Sequence, residues 1–252
     1  MSALAIGVIV FACLFGGALL GIFLSSVLPK HHLRAGTKDV IRLAMAMIAT
    51  MAALVVGLLI ASAKTSFDSK DGEIRRLATQ IVLLDRIMAE YGPETQDVRK
   101  LFREMVAMRT RSIWGDDNIV DPAVVRSVPG SIQVIHRKLL GLSPSNDPQR
   151  WLQAKALQII SDIAETRWLL TQQTDSTIQW QFLAILVFWL SMIFLSFGLF
   201  APRNGTVIAA LFVCALSMAG SIYLIVEMDQ PFGGFIKLSS APMYSALGQL
   251  GR

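Results

Sequence analysis

Four long apolar runs lie along the chain, at residues 4–28, 41–63, 182–201 and 207–228, and their interiors carry no charge. A hydrocarbon core of about 30 Å is crossed by roughly 20 helical residues. Only helices and closed barrels satisfy their backbone in lipid. Each run therefore predicts one transmembrane helix, and the four form two hairpins with short turns.

Between the hairpins the pattern changes to a mixed one with helical period. Ile74, Leu77, Ile81, Leu84, Ile87 and Met88 recur at three- and four-residue steps, predicting a helix over 71–91. Gly92-Pro93 breaks it, and Pro93 with Glu94 opens a second helix to about residue 113. Val98, Leu101, Phe102, Met105 and Met108 share one face of that helix. The stretch 114–130, with two prolines and three aspartates, predicts a loop. A third helix is expected at about 132–140. A fourth starts at a cap, Asp147, before Pro148, and carries Trp151, Leu152, Ala156, Ile159, Ile160, Ile163 and Leu169 to about 171. No alternating strand pattern occurs.

The expected fold is an all-α integral membrane protein: two transmembrane helical hairpins with an inserted extramembrane helical domain. The divisions fall at 1–63, 64–179, 180–228 and 229–252, the last being a turn and a short interfacial helix. Only Gly72 interrupts 64–91, and no proline or glycine lies between Pro148 and Gly198. Helices are therefore expected to run unbroken from the membrane into the domain. The flank Met1-Ser2-Ala3 has no basic residue, and the first run exceeds a signal-peptide core, so it reads as a retained helix.

Charge gives the hairpins a direction. Residues 64–179 hold sixteen basic and fifteen acidic side chains, whereas the turn 29–42 carries Lys30, Arg34, Lys38 and Arg42 against Asp39 alone. Basic turns mark the cytoplasmic side, and the second short turn, 202–205, carries Arg203 on the same side. The N-terminus and helical domain are then extracellular or periplasmic, in a multi-pass protein of the bacterial inner (plasma) membrane. With 54% hydrophobic and 16% charged residues, against about 25% charged in soluble domains, the basic cluster indicates a lipid bilayer as partner and not nucleic acid.

Little points to catalysis. Cys13 and Cys214 lie in apolar runs and read as packing residues; His31, His32 and His136 form no ligand set, so no metal or cofactor is expected. No nucleophile elbow, zinc-protease, P-loop or dinucleotide fingerprint is present, and no catalytic residue is assigned. Asp85, Glu90 and Glu94 read as helix-surface charges. Met45, Met47 and Met51 read as core.

Some features allow two readings. Gly17 and Gly21 form a GxxxG pair, which permits close helix approach within one subunit or between subunits. Ala49 with Ala53, and Ala215 with Ala219, repeat the spacing. Ser217 and Ser221 share roughly one helix face with Cys214; they either bond back to their own helix or line a wet path. Glu227 and Asp229 lie where the fourth span meets the interface, and Pro231, Phe232, Gly233 and Gly234 follow as a sharp turn. In a ring of subunits one of these acids would form a cation-attracting ring.

The segment from Asp229 through Pro231, Phe232, Gly233, Gly234, Phe235, Ile236 and Lys237 to Ser240 and Pro242 resembles the signature of a family of bacterial membrane proteins described as bestrophin-like. Gly233 stands where that pattern has serine. Leu84-Asp85-Arg86, Tyr91-Gly92-Pro93-Glu94, and Phe197-Gly198-Leu199-Phe200 with Asn204 look similar as well. The resemblance implies a relation to bestrophins, which are pentameric anion channels. The leading expectation is an oligomeric ion channel or pore-forming protein, a homo-oligomer passing inorganic ions through an acidic external mouth. The alternative is a membrane-anchored sensor or scaffold whose external domain binds a partner.

Overall fold

In a computed structural model the described residues are 2–27, 35–115, 132–172, 180–202, 204–229 and 237–251. Residues 29–34 of the basic turn, the loop 116–130, Arg203, the Pro231–Gly234 motif and the stretch 174–179 lie outside them. The helices are α1 (Ala3–Val27), α2 (Ala35–Tyr91), α3 (Gln96–Trp114), α4 (Ile132–Leu140), α5 (Asp147–Gln172), α6 (Trp180–Phe200), α7 (Gly205–Asp229) and α8 (Ala241–Gln249), with a 3-10 turn at Pro93–Thr95. No strand occurs among the described residues. The four apolar runs lie in α1, α2, α6 and α7, each long and apolar enough to cross a membrane.

The chain divides into two compact units. The first comprises Met1–Phe67 and Ser176–Lys237; the second comprises Asp68–Asp175 and Leu238–Arg252. α2 belongs to both: it continues without a break for 57 residues, roughly 85 Å at 1.5 Å per residue. Gly72 does not interrupt it, because a single glycine costs only about 1 kcal/mol of helix propensity, and space is open around its Cα.

The membrane unit is organised on α1, which packs against both α6 and α7. Its buried residues Ala3, Val10, Leu14, Ala18 and Gly21 share one face. They meet Leu186, Leu190, Ile193 and Phe194 of α6 and Leu211, Ala215, Ala219, Ile222 and Val226 of α7. Lipid is as apolar as these side chains, so packing quality and not hydrophobicity holds the helices together. The small residues supply that quality. A Cβ on Gly17 would stand 3.1 Å from the Ser191 carbonyl oxygen; one on Gly21 would overlap the Leu195 carbonyl, and one on Gly198 the Ala18 carbonyl. The GxxxG pair of α1 thus lies against α6 of its own chain. Phe11 and Phe15 stack at 5.7 Å and both meet Phe212 edge-on. Lys38 Nζ lies over the Phe200 ring, 5.9 Å from its centre, a cation–π contact.

The helical unit is built by the last part of α2 with α3, α4, α5 and α8. Ile74, Ala78, Ile81, Leu84, Met88 and Tyr91 of α2 are buried, with Val98, Phe102, Met105 and Val106 of α3, Ile135 and Leu139 of α4, and Leu152, Ile159, Ile160 and Ile163 of α5. The buried face of α3 is rotated from the expected one: Val106 and Thr110 lie inside while Met108 is exposed. At the corner after α2, Gly92 takes φ +135°, a conformation favourable only to glycine. The orphan carbonyls that end a helix are met by glutamines of α5. Gln149 Nε2 donates to the Tyr91 carbonyl at 3.0 Å, and Gln153 Nε2 to those of Leu139 and Leu142 at 2.9 and 3.0 Å. Asn146, one residue earlier than expected, caps α5: its Oδ1 accepts the Gln149 backbone N–H at 2.8 Å.

Candidate functional site

The membrane unit brings three of four sequence features to definite places. The first is the apolar stretch of α2. Between residues 41 and 63 only Ala52 and Ala63 are buried, and Val40, Leu43, Met47, Met51, Leu54 and Leu58 stand exposed along one side. Met47 and Met51 are therefore not core; only Met45 packs against the buried cluster. Ala46, Ala49, Ala53 and Gly57 are exposed as well, on a separate face about 120° round the helix, where a second helix could approach closely.

The second is the end of α7. Glu227 and Asp229, expected where the span meets the interface, are only 4% and 5% exposed within a single chain. Tyr223, one turn earlier, hydrogen-bonds through its hydroxyl to Glu227, and neither carboxylate is unpartnered. Buried carboxylates need such compensation. The third is the hydroxyl pair: Ser217 Oγ donates to the Val213 carbonyl at 2.9 Å and Ser221 Oγ to that of Ser217 at 3.0 Å. Thr50 and Ser191 likewise bond to carbonyls one turn back. The fourth, the Pro231–Gly234 turn, falls outside the described residues. Cys13 and Cys214 are both free and exposed.

The helical unit contains a group that the sequence reading placed wrongly. Asp85 is not a surface charge; it is 3% exposed. Arg99 of α3 grips it with two parallel hydrogen bonds of 2.8 Å, Nε to Oδ1 and Nη2 to Oδ2, the strong bidentate geometry. The Gly251 backbone N–H adds a third at 3.0 Å. Burial alone would raise the Asp85 pKa; the Arg99 hydrogen bonds, the Gly251 N–H and the charges of Arg99 and Arg103 outweigh it and hold the carboxyl below its ordinary value. Trp114 fastens the other end of the terminal segment, its indole N–H donating to the Leu238 carbonyl at 3.0 Å. Between the two anchors Leu238, Met243, Ala246 and Leu250 are buried, so this segment packs into the helical unit. The signal for Asp85 was periodicity: it falls between Ile81 and Met88 at helical steps, on the buried stripe.

A family model described as Bestrophin-like domain matches residues 12–243. The chain belongs to the bestrophin-like family. The match runs through both units and past the Asp229–Pro242 segment. No curated protein matches the sequence. Among solved structures, a tyrosine-to-alanine variant of a bacterial bestrophin homologue from Klebsiella pneumoniae aligns with a TM-score of 0.66 at 12% identity, over 94% of this chain and 97% of that one. An isoleucine-to-threonine variant of the Klebsiella homologue gives 0.60 at 13%, covering 96% and 97%. A membrane protein carrying a proline-to-alanine change gives 0.64 at 12%, covering 97% of each. At these identities the likeness establishes the fold, which the bestrophin-like chain shares over nearly its whole length.

Proposed function

We propose that the protein is an oligomeric ion channel of the inner membrane. The observation that carries this reading is membership of the bestrophin-like family, with the exposed small-residue face of α2 as the surface offered to a neighbour. The core of the membrane unit is made mainly by α1, α6 and α7, and the hydroxyls Thr50, Ser191, Ser217 and Ser221 bond back to their own helices. These hydroxyls are already engaged within their own helices, which favours an ion path between copies, with the small-residue face of α2 toward a neighbour. The similarity to bacterial bestrophin homologues favours the same arrangement. Glu227 and Asp229 enter this reading as fixed charges that bias permeation toward cations through their field, since their burial keeps them from direct contact.

Purified protein reconstituted in liposomes is expected to release trapped ions, and Asp229→Asn to lower the cation-to-anion permeability ratio. Vesicles that stay tight would end the channel reading; an unchanged ratio would remove the acidic contribution.

The orientation proposed from the basic turns places the N-terminus and helical domain outside. In a Cys13→Ala, Cys214→Ala background, a cysteine at exposed Gln158 should react with an impermeant maleimide on whole spheroplasts. Reaction only after lysis would invert the topology.

A second reading, a membrane-anchored scaffold, is favoured by Trp151 and Trp168, which both stand exposed on α5. Exposed tryptophans are enriched among the residues that anchor protein interfaces. Crosslinking of the intact membrane protein would then recover a partner chain lost in a Trp151→Ala, Trp168→Ala variant.

A further inference from the structure

Within the helical unit an open cavity of about 610 Å³ lies between α2 and α8, lined by Asp85, Arg86, Ala89, Glu90 and Gln249. Its volume falls within the range of about 300–1,000 Å³ that holds small molecules. The lining differs from an ordinary apolar pocket: four of its five side chains are polar or charged. Arg86, Glu90 and Gln249 are exposed around it, so a ligand that replaces their water with hydrogen bonds of its own is favoured over an apolar one.

The charges narrow the class further. Asp85 is already saturated by Arg99 and Gly251. Arg86 and Glu90 stand one helical turn apart, the spacing at which ion pairs ordinarily close. No ion pair joins them among the described residues, and both are exposed at the cavity. Ala89, small and next to Glu90, leaves room at the wall. On the facing side Gln249 Nε2 donates to the Ser245 carbonyl at 3.4 Å, which leaves its side-chain oxygen to accept from a ligand.

We propose that this cavity binds a small zwitterion, a solute bearing one carboxylate and one ammonium group, with the carboxylate on Arg86 and the ammonium on Glu90. A simple anion or cation would answer one of these charges and face the other as a repulsion. A ligand that also reaches Gln249 ties α2 to α8, and so adds a third fastening to the segment already held by Trp114 and Gly251. The assignment does not rest on conduction: it concerns only groups of the helical unit.

Calorimetric titration of the full-length protein in detergent with glycine, β-alanine and L-glutamine tests it, with propionate and ethylamine as single-charge controls. At least one zwitterion is expected to bind at about 10 mM or below, and neither control to bind comparably. Arg86→Gln and Glu90→Gln, both at exposed helix positions, should each weaken binding about tenfold or more, the loss of one charge-assisted hydrogen bond. Ligand should also slow hydrogen exchange over 241–249. No heat from any zwitterion, equal binding of propionate or ethylamine, or unchanged affinity in the Arg86→Gln, Glu90→Gln double variant would overturn the proposal. Failure of a cysteine placed at Arg86 to react with a thiol reagent in the assembled protein would overturn it too, because a second copy would then fill the cavity.

Discussion

Asp85→Ala is expected to destabilise the helical unit by about 3–5 kcal/mol, the usual result of removing one partner of a buried ion pair. Arg99 would be left largely buried without its carboxylate, close to the like charge of Arg103, and Gly251 would lose its acceptor. Denaturation of the full-length protein in detergent measures the loss. Limited proteolysis should show residues 238–251 cut first, since Trp114 would remain their sole polar anchor among the described residues. Replacing both partners, as Asp85→Leu with Arg99→Met, is expected to restore most of the stability, because no uncompensated charge remains. The ion pair also sets a pH dependence. The folded carboxyl lies below its ordinary value of 3.8, so its contribution is fully present above that pH and is lost as pH falls through the folded value. Stability that is flat from pH 7 down to pH 2 would contradict the role given to Asp85.

Gly198→Leu is expected to have the largest effect in the membrane unit. Even a Cβ at this position would overlap the Ala18 carbonyl, so the α1 and α6 backbones must separate. Overpacking of a close contact costs about 1–3 kcal/mol, and more where backbone has to move. Gly21→Leu should act similarly through the Leu195 carbonyl, whereas Gly16→Ala meets nothing within 4 Å and should be silent. The readout is the detergent or thermal midpoint of the purified protein. Equal effects at Gly16 and Gly198 would mean that the close crossing of α1 and α6 does not hold the unit together.

The architecture was legible because its signals are local. A charge-free run of twenty residues has few alternatives, and the local pattern places α4 and α5 to within a residue or two and α3 to within three, its expected first turn being the 3-10 turn Pro93–Thr95. The continuity of α2 followed from the scarcity of glycine and proline, which is also a local property. Failures arose where a side chain's environment is set by distant chain. Asp85 looks like any helix acid until Arg99 and Gly251 come to meet it, and Gly251 is 166 positions away. The Trp114 bond to Leu238 spans 124. Met47 and Met51 have the composition of core residues, yet in a membrane an apolar side chain needs no protein cover, so hydrophobicity cannot assign their face. Glu227 and Asp229 sit where the hydropathy pattern ends, at the expected interface, and the fold buries both.

The central claim is that subunits assemble around a shared ion path with the exposed face of α2 directed at its neighbours. Imaging the symmetry of the purified protein in mild detergent tests this most directly. The account predicts a closed ring with the 41–63 stretch of α2 buried between subunits near the axis. A monomer, or a ring in which that stretch faces only lipid, would contradict it.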